Sequence, residues 1–163
     1  MDSRPLHRKF SGMNLSDYWR TDHSADRASE LASVLEGARA AVSMMEGEYP
    51  VRWLSQGSTG PGIWLDPSVL NGFQPPFPGK AVDVVIGLAL HEVGHEKWTR
   101  PFPRGTRVNR LSSEQYTTLL SIHNILEDAY IDTHTGRLSP VLGEYITTAR
   151  QAFVSGDVAR GTL

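Results

Sequence analysis

Apolar residues recur at helical spacing in several long stretches of the chain. The first stretch follows Ser24, which we predict as its N-cap, and ends before Gly47 and Pro50. Apolar positions repeat there every three or four residues and charged ones fall between them, so we predict an amphipathic helix of about five or six turns. Its expected role is to cover a sheet.

Short apolar segments follow at residues 50–56 and 62–66, and both are rich in β-forming residues. A glycine cluster separates them, so we predict two strands joined by a turn. Residues 67–79 contain four prolines and are predicted to form a loop.

The aromatic residues of this region allow two roles. Trp53 and Trp64 are expected to pack in the core or on the sheet surface, since large aromatic side chains are mostly buried there. Phe73 and Phe77 lie in the proline-rich loop, where they either anchor the loop or line a cleft.

Two further helices are predicted in the second half of the chain. Lys80 to about Thr99 has a broad apolar face and precedes Pro101 and Pro103. The next helix starts at Ser112 or Ser113, with Gln115 completing a capping box. We predict that this helix ends at Gly136 and packs through Ile122, Ile125, Leu126 and Ala129. Residues spaced by three and four share another side of it: Tyr116, Leu119, His123, Glu127, Tyr130 and His134.

A last amphipathic segment begins at Pro140. Together these patterns predict a polar N-terminal arm over residues 1–23, one domain over 24–155 and a C-terminal tail over 156–163. Residues Ala81 to Leu90 are too short an apolar run to cross a membrane, so this run is predicted to be a buried helix.

Composition narrows the classes of protein. Charged residues are 21%, hydrophobic ones 39% and the formal charge is −2, as in a globular protein without general affinity for nucleic acid or anionic membranes. Arg100, Arg104, Arg107 and Arg110 form a basic loop, which is weak support for nucleic-acid binding. The chain has no cysteine, so any metal must use His, Asp or Glu, and a cytoplasmic location is expected.

The pentapeptide from His91 to His95 carries the chemistry. The two histidines are four residues apart, about 40° around a helix, so both imidazoles can reach one ion. Glu92 leans to the side of the pair, where it can reach a water without being a ligand; this is the HExxH arrangement of zinc-dependent hydrolases. The third ligand is expected on the returning helix: Glu127 first, then Asp128, then His123.

The expected reaction follows from a zinc ion (Zn2+) at these residues. Zinc activates a bound water and polarises a carbonyl, while Glu92 transfers the proton as general base. Tyr130 or His134 could stabilise the oxyanion. Asp128, Asp132 or Asn124 could orient the ligand histidines.

The segments HEVGHEKWT and HNILEDAYID resemble the gluzincin-type zincin metallopeptidases. More narrowly, they look like the metallopeptidase-like domain of phage and bacterial proteins related to the cobalt-chelatase large subunit and associated with von Willebrand A domains. The resemblance covers residues 80–135. It implies Glu127 as third ligand and an α+β, zincin-like fold, in which a small twisted sheet packs on the HExxH helix and a second ligand helix. It also implies that a peptide or protein substrate pairs with the strand GIWLD.

One departure keeps the ligand open. Thermolysin-type members have an aspartate four residues after the ligand Glu, where this chain has Ile131, and Asp132 follows one position later. Either Asp132 does not orient the ligands as that aspartate does, or the ligand is Asp128. The alternative to a peptidase is a non-catalytic, zinc-stabilised module that binds a partner protein or a further domain of a longer chain.

Overall fold

A computed structural model describes residues 14–20, 23–55, 60–102, 105 and 108–157. Its helices and strands are α1 (Leu15–Trp19), α2 (Arg27–Ser43), β1 (Val51–Trp53), β2 (Ile63–Leu65), α3 (Gly79–Trp98), α4 (Ser113–Leu138) and α5 (Pro140–Val154). Short 3-10 turns lie at Pro67–Leu70 and Val108–Arg110. The described chain is therefore mostly helical with a small sheet, which is compatible with the α+β class.

Both predicted strands are present, and they pair in parallel. Val51 lies opposite Ile63 and Trp53 opposite Leu65. Because the strands are parallel, they are not the two arms of an antiparallel hairpin, and residues 56–59 between them lie outside the described residues. Val51, Ile63 and Leu65 are buried on the side of the sheet that meets the helices.

Helix α3 is the centre of the fold, as predicted from its apolar face. It packs against α1, α2, α4, α5 and β2. Residues Ala81 to Gly87 are all buried, so this half of α3 is surrounded on every side. No helix in the described part of the chain is long and apolar enough to cross a bilayer.

Two glycines allow α4 and α5 to approach α3 closely. A Cβ atom on Gly87 would lie 2.3 Å from the carbonyl oxygen of Tyr145. A Cβ atom on Gly94 would lie 2.1 Å from Cγ2 of Ile131, far inside van der Waals contact. Close backbone packing therefore offsets the helix-propensity cost of Gly94.

Helix ends agree with the sequence in part. The Ser112–Gln115 capping box of α4 and the start of α5 at Pro140 are confirmed. The N-cap of α2 is Asp26, whose carboxylate accepts from Ser29 N at 2.8 Å, so the prediction of Ser24 is wrong. The predicted end of α4 at Gly136 is also wrong.

Gly136 instead serves the contact between α4 and α5. The helix continues through it to Leu138. A Cβ atom on Gly143 of α5 would lie only 2.9 Å from the Gly136 Cα, so the two glycines let the helices of this hairpin approach.

The predicted packing face of α4 is wrong. Ile122, Ile125 and Leu126 are 49%, 67% and 65% exposed, and Ala129 is exposed as well. The fully buried residues of α4 are Ile131 and Thr135. Residues 113–119 are all exposed, which shows that the first half of α4 extends beyond the core formed by the described residues.

Helix α1 docks onto α3 although residues 14–20 fall within the predicted polar arm. The backbone N–H groups of Leu15 and Ser16 donate to the Asp83 carboxylate at 2.9 and 2.7 Å. Burial raises the pKa of Asp83, and the hydrogen bonds from Ser16 and Leu15 oppose that rise. Residues 1–13 of the predicted arm and 158–163 of the predicted tail lie outside the described residues.

A buried ion pair joins this segment to α2. Arg20 Nη2 lies 2.5 Å from Glu30 Oε2, and both side chains are 1% exposed. Glu30 also accepts from the backbone N–H groups of Ser24 and Phe77. Burial acts to raise the pKa of Glu30, but these hydrogen bonds and Arg20 outweigh it and hold the pKa below its ordinary value.

The aromatic residues follow their expected packing roles. Phe77 is buried and Phe73 packs against the core, so both anchor the proline-rich loop. Trp53 packs against the core and donates from Nε1 to the Leu31 carbonyl. Trp64 is half-buried on the sheet, and the Arg52 guanidinium lies 5.5 Å from its ring centroid.

Candidate metal centre

The two histidines of α3 present their Nε2 atoms to each other. His91 and His95 lie one helical turn apart, and their Nε2 atoms are 3.2 Å apart. Asp128 of α4 brings Oδ1 to 3.4 Å from the His95 Nε2 and 3.7 Å from the His91 Nε2. These three residues form the group among the described residues that could hold a metal ion.

Hydrogen bonds on the far side of each ring orient the pair. His91 Nδ1 lies 3.0 Å from Asp132 Oδ1, and His95 Nδ1 lies 3.0 Å from Thr99 Oγ1. An imidazole that donates from Nδ1 keeps the lone pair on Nε2 for a metal. Two lone pairs and a carboxylate oxygen therefore converge on one point, an arrangement that favours a bound cation.

The separations fit zinc. Ligand atoms about 2.0–2.2 Å from a tetrahedral zinc ion are spaced roughly 3.3–3.5 Å from each other. The observed separations of 3.2, 3.4 and 3.7 Å span that spacing. Two neutral imidazoles and one carboxylate are also a donor set that zinc accepts, and three protein ligands leave a further position open.

Glu127, our first expectation for the third ligand, lies on the other side of His95. Its Oε2 is 4.0 Å from Nδ1 of both His95 and His123, and its Oε1 accepts from the Arg100 N–H at 3.1 Å. His123 rests against the Phe102 ring, with the ring centroids 5.0 Å apart. The structure thus brings Asp128, and neither Glu127 nor His123, to the paired Nε2 atoms.

The packing of α4 explains why Asp128, and not Glu127, reaches the Nε2 atoms of the two histidines. Neighbouring helical positions point about 100° apart, so Glu127 and Asp128 approach different sides of His95, and only Asp128 reaches the paired Nε2 atoms. Ile131 is pressed against Gly94, which turns that side of α4 toward α3. Asp128 and Glu127 lie three and four residues before Ile131, so they flank it on opposite sides. Asp128 is on the flank that also carries Asp132, whose carboxylate contacts His91.

Glu92 is exposed beside His91. Its carboxylate makes no hydrogen bond or ion pair with the residues that the structure describes. A carboxylate that is exposed to solvent and has no described partner can exchange a proton with water. Asn124, a suggested neighbour of the ligands, is exposed on α4.

Tyr130 and His134 form a stack away from the paired Nε2 atoms. Their ring centroids are 4.0 Å apart, and Trp98 lies 5.6 Å from His134. The Arg100 guanidinium lies 5.2 Å from the Tyr130 centroid and donates to its hydroxyl. These contacts tie α4 to the end of α3, and none of them places either side chain next to His91 or Asp128.

The arginine loop is only partly described. Arg104 and Arg107 lie outside the described residues, Arg100 is engaged with Glu127 and Tyr130, and Arg110 is exposed. The described arginines therefore do not form a continuous basic surface.

Arg150 of α5 was not anticipated from the sequence. Its guanidinium forms an ion pair with Asp132 Oδ2, so Asp132 lies between Arg150 and His91. A cavity of about 230 Å³ opens beside this chain of contacts. It is lined by His91, Asp128, Asp132 and Arg150 on its polar side and by Leu88, Ile146, Ala149 and Phe153 on its apolar side.

Comparisons with protein-family models, with curated proteins and with solved structures found no match for this chain. The resemblance carried by residues 80–135 therefore stays a prediction. The observations that bear on function are the donor set, its supporting hydrogen bonds and the cavity beside it.

Proposed function

We propose that this chain is a zinc-dependent peptidase with a zincin-like domain, in which His91, His95 and Asp128 hold the metal and Glu92 is the general base. The observation that carries the proposal is the convergence of two imidazole Nε2 atoms and one carboxylate oxygen. Four ligands would suit a structural site, whereas three with an adjacent free carboxylate suit hydrolysis.

When bound, zinc would supply Lewis-acid polarisation of a carbonyl and would lower the pKa of a water molecule. Glu92 is the described carboxylate next to His91 that is both exposed and uncommitted. It accepts the proton of the attacking water and passes it to the departing amine nitrogen.

The remaining residues hold the ligands in place. Asp132 and Thr99 accept from the Nδ1–H groups and fix which ring nitrogen carries the proton. Arg150 holds Asp132 from α5, so three helices contribute to the orientation of His91.

The cavity beside His91 supports a peptide substrate. Its apolar wall suits a hydrophobic side chain, and its volume of about 230 Å³ is below the size of typical small-molecule pockets, so it suits one side chain of a longer ligand. Pairing of a peptide with β2 remains a prediction.

The first experiment tests the metal ligands. Protein purified without added zinc should contain about one ion per chain. Asp128→Ala should weaken zinc affinity by more than ~100-fold, because loss of a mere hydrogen-bond partner of a ligand already costs ~10–100-fold. Glu127→Ala is the matched control and should retain zinc. Release of metal by the Glu127 change alone would overturn the assignment of Asp128.

The second experiment tests catalysis. Glu92→Gln should keep zinc and lose hydrolysis of an unfolded protein substrate, whereas the control Glu96→Gln, another exposed glutamate of α3, should remain active. Unchanged hydrolysis by Glu92→Gln would remove Glu92 from the mechanism. A wild-type protein that binds zinc but hydrolyses no peptide would instead favour the non-catalytic module.

A further inference from the structure

The first half of α4 presents an apolar face that the described residues leave largely exposed, with only Tyr116 packing against the Phe102 ring. Tyr116 is 42% exposed, Leu119 36%, Ile122 49%, Ile125 67% and Leu126 65%. Scattered exposed apolar side chains are ordinary, but a contiguous set on one helix marks an interaction surface.

The spacing of this face is that of a helix-packing seam. Leu119, Ile122, Leu126 and Ala129 are separated by three, four and three residues. These are the a and d positions of a heptad pattern, whose side chains pack against another helix with the same spacing. The occupant that fits is therefore a helix.

Charge is absent from the same segment. From Gln115 to Leu126 the sequence QYTTLLSIHNIL contains no Asp, Glu, Lys or Arg. Exposed helices are normally rich in these residues. A charge-free helix face is also compatible with meeting its own copy, because no like charges are brought together across a two-fold axis.

We propose that α4 packs against α4 of a second copy of this chain, antiparallel about a two-fold axis at Ile122. In this register Ile122 meets Ile122 of the partner subunit at the axis. Leu119 then lies opposite Ile125 of the partner subunit, Leu126 opposite Thr118 of the partner subunit, and Gln115 opposite Ala129 of the partner subunit. Every apolar residue of the seam then has an apolar or uncharged neighbour.

The available area is close to what a stable dimer needs. Scaled by their exposures, the five large side chains present on the order of 350 Å² of apolar surface per copy. A standard interface buries about 800 Å² per partner, just over half of it non-polar, so about 450 Å². Ala129 and the threonine methyl groups along the helix can supply much of the difference.

The first test is the mass in solution. Sedimentation velocity of the full chain at micromolar concentrations should give the mass of two copies. Ile122→Glu should give a monomer with unchanged helix content, whereas Val154→Glu, at an apolar position of α5 that is 84% exposed, should remain a dimer. A wild-type monomer at these concentrations would overturn the proposal and would point to another protein or segment as the occupant.

The second test fixes the register without requiring a disruptive change. The chain has no cysteine, so a single introduced thiol reports only on itself. Ile122→Cys should form a disulfide-linked dimer under mild oxidation, because the same residue meets itself at the axis. Asn124→Cys is exposed but points about 160° away around the helix, so it should stay monomeric on a denaturing gel. Equal cross-linking of both variants, or of neither, would contradict the register.

Discussion

Gly94→Ala adds one methyl group at the crossing of α3 and α4, the contact that orients Asp128. The added Cβ would lie 2.1 Å from Cγ2 of the fully buried Ile131. Ordinary carbon contacts are about 3.5–4.0 Å, so α4 must move outward by roughly 1.5 Å or Ile131 must leave its rotamer.

The magnitude follows from two opposing effects. Overpacking of a core costs about 1–3 kcal/mol, and the severity of this overlap places it at the upper end. Alanine in place of glycine gains about 1 kcal/mol of helix propensity. The expected net loss in the free energy of unfolding is therefore about 2 kcal/mol.

Urea unfolding with a chelator present measures the stability without metal, and a zinc titration measures the site separately. Gly136→Ala is the matched control, since its added Cβ would have only an ordinary contact of 3.8 Å, and it should be neutral or stabilising. Outward movement of α4 should also weaken zinc binding. A Gly94→Ala protein as stable as its parent, or with unchanged zinc affinity, would refute the claim that this crossing sets the position of Asp128.

Three further predictions concern residues around the site and the N-terminal segment. Asp132→Ala should lower zinc affinity by ~10–100-fold with unchanged circular dichroism, because His91 loses its Nδ1 partner; wild-type affinity would remove Asp132 from the site. The pKa of Glu30 is lowered from 4.5, so its contribution to stability is present above that value and is lost as the pH falls through the folded pKa. Glu30→Gln should therefore flatten the decline of stability below about pH 4.5 in acid titrations, and an unchanged slope would contradict this account. Asp83→Ala leaves the buried Ser16 N–H and the partly buried Leu15 N–H of α1 without an acceptor, at about 1–3 kcal/mol for the buried group, so trypsin should cleave faster after Arg20; equal cleavage rates would contradict docking through Asp83.

Local patterns were enough to place most of the helices. The capping box of α4 and the proline at the start of α5 depend on contacts within a few residues, so the sequence displays them directly. The HExxH spacing likewise fixes His91 and His95 on one side of a helix whatever the fold around it.

Contacts between distant segments could not be predicted in the same way. The choice between Glu127 and Asp128 depends on the rotation of α4, which is set by Ile131 against Gly94. Periodicity identified an apolar side of α4 but could not tell that this side would be exposed. The burial of Glu30 depends on Arg20 and on a backbone N–H of a distant loop, and neither has a signature in the sequence.

The two glycines of α3 have a consequence for transplanting this site into another protein. Gly87 and Gly94 are seven residues apart, so they form two notches about 10 Å apart on one side of α3, one under α5 and one under α4. The hairpin of α4 and α5 packs into both notches through its backbone and through Ile131. These contacts fix both the position of the hairpin along α3 and its rotation. A graft that copied only His91 to His95 and Asp128 would carry the donor atoms without the seating that gives them their spacing. The smallest transferable unit is therefore α3 with both notches and the hairpin that fills them.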